Sequence, residues 1–300
     1  MNTALLFSAA VLVFGTGPYA IALQLGPVAP EMLVAYRFGV AGLLLIAVTV
    51  VLRRRLRFGF RDHLYLALQG MLMFSVVDLL VYYAIARLPG GVVQLVMSML
   101  IIGNIVFGSL FLGFPIRPRV VVGAFMGLAG MALVSWPELR DADMDGAAPL
   151  GLAAAIGAML AASLGVLTAA RNQRANLPVL ETTGIAMVYG AACSVIVAFA
   201  LGRTPGWDWS PGFLAGFVWL AVPLTALGFI MWLILVGRMG ADRSAYVILL
   251  TPIIALAIST TVGEYTWTAL SIAGVATVLA GNAIVLSKMK QAPLAPAGQT

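Results

Sequence analysis

Ten apolar runs of about 20 residues each follow one another along the chain, parted only by short polar breaks. Wound as an α-helix, such a run spans the hydrocarbon core of a bilayer, whereas a barrel strand needs only ~9–11 residues of alternating polarity. Lipid offers no partner for backbone N–H and C=O groups, so each run has to close its hydrogen bonds within itself. Composition agrees. The chain is 62% hydrophobic and 9% charged, where a soluble domain carries about 25% charged residues. An all-α membrane protein is therefore expected. Its spans fall at about 3–23, 30–51, 64–86, 91–113, 118–136, 149–170, 179–201, 212–236, 243–262 and 267–287. The tail over 288–300 carries Pro293 and Pro296 and is expected to be disordered. The first run has no basic start and leads straight into a second span, which argues against a signal peptide.

Arginine placement sets the orientation. Arg53, Arg54, Arg55, Arg57 and Arg61 lie in the break after the second run. With alternating spans, the same side collects Arg117, Arg119, Arg171, Arg174, Arg238, Arg243, Lys288 and Lys290, giving 13 of the 17 basic residues. The other side has Arg87, Arg140 and Arg203, together with Glu138, Asp141, Asp143 and Asp145. By the positive-inside rule both termini are expected in the cytoplasm, most simply of a bacterial inner membrane. The net charge of +6 then reflects topology, and no nucleic-acid surface is expected.

The two halves repeat weakly. Gly113-Phe114 is followed at 10 and 17 residues by Gly123 and Gly130, and Gly263-Glu264 at 11 and 18 by Gly274 and Gly281. Gly15 in the first span is matched by Gly165 in the sixth. Five spans per half is an odd number, so the second half must sit upside down relative to the first. The expected organisation is two inverted five-helix repeats, 1–146 and 147–287, as in secondary carriers whose substrate site lies between the halves. Small-residue faces at Gly123/Gly127 and Gly274/Gly281 suit close packing within the chain, with a homodimer seam as the alternative.

These residues resemble the EamA-type ten-helix carriers of the drug/metabolite transporter superfamily, nearest in style to amino-acid exporters. Phe14-Gly15, Pro30 and Arg37 stand where that family carries an aromatic-Gly pair, a proline and an arginine. Gly263-Glu264 keeps the family's Gly-Glu between the fourth and fifth helices, and Gly113-Phe114 departs from it. The resemblance implies a cavity among helices 1–4 and 6–9, with helices 5 and 10 to the side, and a helix-capping role for Glu264.

Charges inside a bilayer cost several kcal/mol, so each one is a candidate site. Arg37 and Asp78 lie about 10–14 Å below the outer helix ends, at similar depth. They form either a structural ion pair or a substrate or proton site. An arginine fork suits a carboxylate and an aspartate an ammonium, which together would hold a zwitterion. Tyr82, four residues on, shares the face of Asp78. Gln94 and Asn104 lie on one stripe of the fourth span, and the second half offers Ser163, Trp219, Thr225 and Tyr246. Pro223 and Pro252 are expected to interrupt the eighth and ninth spans. Glu31 reads as a charge at a helix N-terminus and His63 as a solvated side chain.

The chain holds one cysteine, Cys193, and one histidine. It has no HExxH, Walker or Gly-x-Ser-x-Gly motif, so no metal, no cofactor and no enzyme activity are expected. The reading is a secondary transporter, an exporter of small polar metabolites with amino acids foremost, working by alternating access within the lipid bilayer and with protons as a candidate co-substrate. A nucleotide-sugar or organic-phosphate antiporter would want a second buried basic residue. A membrane-embedded enzyme would want an interfacial cluster of acids and histidines, and only Asp62 and His63 are at hand.

Overall fold

The computed structural model of the chain describes residues 2–112, 118–141, 147–239 and 241–286. Expectations placed on Gly113-Phe114, on Asp143 and Asp145, and on the tail from Lys288 lie outside the described residues. Among the described residues ten helical units are formed. α1 comprises Thr3–Gly15 and Gly17–Ala22, and α2 is Pro30–Val51. α3 is Phe60–Met71, a π-helical segment Leu72–Val76, and Val77–Ile85. α4 comprises Gly90–Ser98 and Leu100–Leu112, and α5 is Pro118–Asp141. α6 is Ala147–Arg174 and α7 is Val179–Ala200. α8 is Pro211–Trp219, a second π-helical segment Leu220–Leu227, and Gly228–Met239. α9 is Ala241–Thr261 and α10 is Ala269–Leu286. Seven of the ten hold a window long and apolar enough to cross a membrane, and α5, α9 and α10 carry shorter apolar stretches at Val121–Val134, Val247–Thr261 and Ala269–Ile284.

The order of contacts shows the repeat. α2 packs along α7 and α5 along α10, each helix against its counterpart. Other contacts come in exchanged pairs: α3 on α7 with α8 on α2, α4 on α6 with α9 on α1, and α3 on α6 with α8 on α1. Exchanging the halves maps each pair onto its partner, as two inverted repeats require. The self-paired helices meet backbone to backbone at glycines. A Cβ on Gly42 of α2 would lie 2.9 Å from the Gly184 carbonyl of α7, and Cβ atoms on Gly130 and Gly274 would each lie 2.6 Å from the other's carbonyl. The glycine faces noted on α5 and α10 thus meet each other within one chain.

Local structure repeats as closely. α2 and α7 are both 22 residues long. Each is followed by a left-handed residue, Arg53 (φ 53°) and Gly202 (φ 69°), and then by an arginine. The Arg54 N–H donates to Thr49 O at 3.0 Å and the Arg203 N–H to Ala198 O at 2.8 Å, closing both helix ends in the same way. The two π segments occupy equivalent third helices. Pro223 lies in the second, where the expected interruption of α8 is found. The first has no proline to announce it.

Pro252 does not interrupt α9, contrary to the sequence-based expectation; the helix runs on through it. Proline removes the N–H that would have met the Ile248 carbonyl. The Thr251 hydroxyl takes that carbonyl instead, at 2.9 Å, and its oxygen accepts from Gln94 Nε2 of α4 at 3.0 Å. Thr251→Val therefore leaves a carbonyl and an amide unpaired in the interior, each costing about 1–3 kcal/mol. The variant is expected to melt roughly 5 °C lower in detergent, with Thr251→Ser close to the native value. Equal melting of the valine and serine variants would refute this account.

Candidate functional site

Arg37 ties three helices together. It rises from α2 about two turns below Pro30, where the helix begins on a residue with no N–H to lose. Its Nη1 donates to Asp78 Oδ1 of α3 at 2.6 Å, and its Nε donates to Thr225 Oγ1 of α8 at 3.0 Å. The guanidinium carbon lies 4.8 Å from the ring centre of Phe38, which itself packs on Phe74. Both charged side chains are largely withdrawn from solvent, at 7% exposure for Arg37 and 14% for Asp78. The sequence left open whether Arg37 and Asp78 face each other or a third party; here they face each other, and α8 of the other repeat joins them.

The π segments put these groups in place. Asp78 follows the first segment by two residues, and Thr225 lies within the second. In the wider π turn the Thr225 hydroxyl donates to Leu220 O, five residues back, at 2.7 Å. That leaves its oxygen lone pair for the Arg37 Nε. The site has one positive and one negative charge and no net charge.

The other expected residues are distributed around this centre. Tyr82 is fully buried and its hydroxyl donates to Gln24 Oε1 just past α1. Gln94 bonds Thr251, as described above. The Ser163 Oγ of α6 and the Asn104 Oδ1 of α4 are buried without a hydrogen-bond partner in the structure. A Cβ on Gly103 would lie 2.3 Å from that Ser163 Oγ, so α4 and α6 are close there. Trp219 is 40% exposed and its indole N–H donates to Thr16 of α1 at 2.8 Å, apart from the charged pair. The side chain of Tyr246 lies outside the described residues.

Two buried polar residues, Gln24 and Thr251, were not singled out, and others sit in surroundings the sequence did not show. Gln24 is buried, and the sequence put it in a loop. Thr251 is also buried, and no motif marks it. Glu31 stands in the first turn of α2 as read, and beyond that it is fully buried, accepts from the Tyr83 hydroxyl and faces Arg203. His63 shares a hydrogen bond with the Tyr189 hydroxyl at 3.0 Å rather than standing alone. Glu264 accepts from Ser259 Oγ near the end of α9, at 3.4 Å, and its N–H closes that helix on the Ser259 carbonyl. Ser259 Oγ in turn accepts from the Gly91 N–H of α4.

Comparison with known proteins identifies relatives of the chain as a whole. Protein PecM of Dickeya dadantii (strain 3937) is 31% identical over 193 residues, which is 62% of this chain and 61% of that protein. The chain thus matches about three fifths of the length of PecM. The uncharacterized transporter YvbV of Bacillus subtilis (strain 168) is 23% identical over 298 residues, 99% of this chain and 95% of the relative. A solved crystal structure of a protein shares the fold with a TM-score of 0.67 at 21% identity, covering 94% of this chain and 95% of that one. The sequence model of the EamA-like transporter family matches residues 1–136 and again 149–287, one match for each repeat. With both repeats matched and ten apolar helices in place, the chain belongs to the EamA-like transporter family.

Proposed function

We propose that this transporter is a secondary carrier that exports small zwitterionic metabolites, amino acids foremost, across a bacterial inner membrane with both termini in the cytoplasm. One observation supports the substrate class above all. A buried arginine and a buried carboxylate close on each other at the junction of the repeats, with α8 tied in through Thr225. A guanidinium has five N–H donors, and Nε and Nη1 account for two of them. A substrate bearing a carboxylate and an ammonium can enter between Arg37 and Asp78, exchanging one ion pair for two without leaving a charge unpaired. A dianionic phosphate would leave the site with surplus negative charge beside Asp78.

The orientation rests on the arginine asymmetry of the loops. Ser163 and Asn104, each with a buried oxygen lacking a partner, are candidate contacts for the remainder of the substrate. The drive is an ion gradient or the substrate's own gradient, and rocking of the repeats about the site supplies alternating access.

Counterflow in proteoliposomes tests the reading. Preloaded neutral amino acids are expected to accelerate uptake of their labelled forms several-fold over empty vesicles, because exchange spares the carrier its unloaded return. Nucleotide sugars and organic phosphates are expected to give no acceleration. Acceleration by phosphates and not by amino acids would overturn the substrate class.

A further inference from the structure

Two buried glutamates hold equivalent places at opposite faces of the bundle. Glu31 lies in the first turn of α2, at the face opposite the arginine-rich loop, and Glu181 lies in the first turn of α7 on the arginine-rich side. Glu31 Oε2 is 3.9 Å from Arg203 Nε, in the segment after α7. Glu181 Oε1 accepts from Arg54 Nη1 at 3.3 Å, in the segment after α2. Each repeat supplies the glutamate to one face and the arginine to the other. The exchange of halves that relates α2 to α7 turns one pair into the other.

The geometry at both ends is also alike in what it lacks. The glutamate side chains are 1% and 3% exposed, while the arginines are 50% and 54% exposed. In each glutamate, Oε2 is buried and accepts no hydrogen bond in the structure. A buried carboxylate oxygen left underbonded is costly. The arginine that would satisfy it sits on an exposed stem just beyond a left-handed residue, free on its solvent side to swing. The basic-face pair is closed to a hydrogen bond, and the opposite pair is held at ion-pair distance only. The two ends therefore differ in tightness while sharing one chemistry.

We infer that Glu31–Arg203 and Glu181–Arg54 are reciprocal latches that position the repeats during transport, one tightening as the other loosens. This rests on the carrier reading above. In a carrier of inverted repeats, the inward and outward states are related by exchanging the conformations of the halves. A contact that each half makes on the other, once per face, is biased oppositely in the two states. A shift between two such states needs only a differential interaction at each end. Tyr83 joins the opposite-face latch through its bond to Glu31 and has no counterpart hydroxyl bound to Glu181 among the described hydrogen bonds.

The test reads sidedness. A chain carrying Cys193→Ser and Asn104→Cys is labelled by a membrane-impermeant maleimide in vesicles of each orientation. Glu31→Gln is expected to raise labelling from the Arg203 side by roughly two- to fivefold relative to the other side, the range a partly exposed ion pair can bias. Glu181→Gln is expected to raise labelling from the Arg54 side by a similar factor. Arg203→Gln and Arg54→Gln, on exposed side chains that leave the fold intact, are expected to shift the ratio in the same directions as their partners. The swapped pair Glu31→Arg with Arg203→Glu is expected to return the ratio toward that of the parent. Unchanged ratios, or both glutamine variants favouring one side, would overturn the latches while leaving the carrier reading in place. Absence of labelling from either side in every chain would overturn the carrier reading itself, and the latches with it.

Discussion

Asp78→Asn and Arg37→Gln are each expected to abolish transport and to destabilise the protein, whereas the double variant recovers stability and not transport. Removing one partner of a buried ion pair strands the other charge, at a cost of about 3–5 kcal/mol. Arg37 stranded by Asp78→Asn keeps the Thr225 hydroxyl at Nε, 3.0 Å away, and no carboxylate. Asp78 stranded by Arg37→Gln is left at 14% exposure facing a neutral amide. Replacing both with neutral groups of similar size removes the desolvation penalty along with the attraction, and such exchanges are often neutral or stabilising. Melting in detergent reads the first half of the claim, and counterflow reads the second. If the pair were a structural cross-link alone, the double variant would transport as well as the native chain. Transport by the double variant is the result that removes Arg37 and Asp78 from the substrate path.

The Thr225 bond refines this expectation. Thr225→Val keeps the shape of the side chain and takes away the acceptor for Arg37 Nε, yet leaves Asp78 in place. The unpaired Nε–H then costs about 1–3 kcal/mol, less than a stranded charge, because the pair stays charged and matched. What changes is the tie between α8 and the first repeat. On the proposed carrier reading, that tie couples Arg37 to the second half, and counterflow by Thr225→Val is expected to fall below the native rate.

Much of this was legible in the chain because hydrocarbon is an exacting solvent. Ten apolar runs and the side-to-side alternation of arginine dictate ten helices, and an odd number per half dictates inversion. Arg37 and Asp78 stood out for the same reason: a charge in an apolar run needs an explanation. What stayed hidden depends on relations between distant residues. Thr225 meets Arg37 across 188 positions, and an ordinary threonine in an apolar run carries no sign of such a partner. Glu31 read simply as a charge at a helix N-terminus, since the first turn of a helix favours an acid. Its burial comes from Tyr83 and from Arg203, which lies in the other repeat. The π segment in α3 has no proline, so nothing local separated it from regular helix, whereas Pro223 marked its counterpart. Pro252 misled in the opposite direction, since a neighbouring threonine hydroxyl was on hand to take the orphaned carbonyl. The repeat itself was read from glycine spacings, but its clearest signature is the matched end geometry of α2 and α7, which a single left-handed residue and one arginine encode.

Gly70→Ala is expected to be among the most damaging small substitutions in the protein. Gly70 sits on α3 just ahead of the π segment, where the helix lies against α7. A Cβ there would fall 2.2 Å from the Ala186 carbonyl and 2.9 Å from the Gly190 nitrogen. Those are backbone atoms, so no side chain can turn aside. Ordinary contact needs about 3.5 Å, so α3 and α7 would have to part by roughly 1 Å. Gly190 faces the same seam from the other side, with a Cβ 2.7 Å from the Gly70 carbonyl. Overpacking of this kind costs about 1–3 kcal/mol or more, and here it adds to lost packing along the seam. The alanine variant is expected to melt about 5–10 °C lower in detergent, and Gly70→Leu to give no monodisperse protein. Gly206 lies in the segment between α7 and α8, with nothing within 4 Å of its Cβ position. Gly206→Ala is the control, expected to be neutral or stabilising by up to about 1 kcal/mol. Function should suffer with the fold, because Asp78 stands two turns further along α3 and its 2.6 Å bond to Arg37 depends on how deeply that helix is seated. Gly70→Ala melting within the scatter of the Gly206→Ala control would show that the α3–α7 seam yields more readily than its backbone contacts imply.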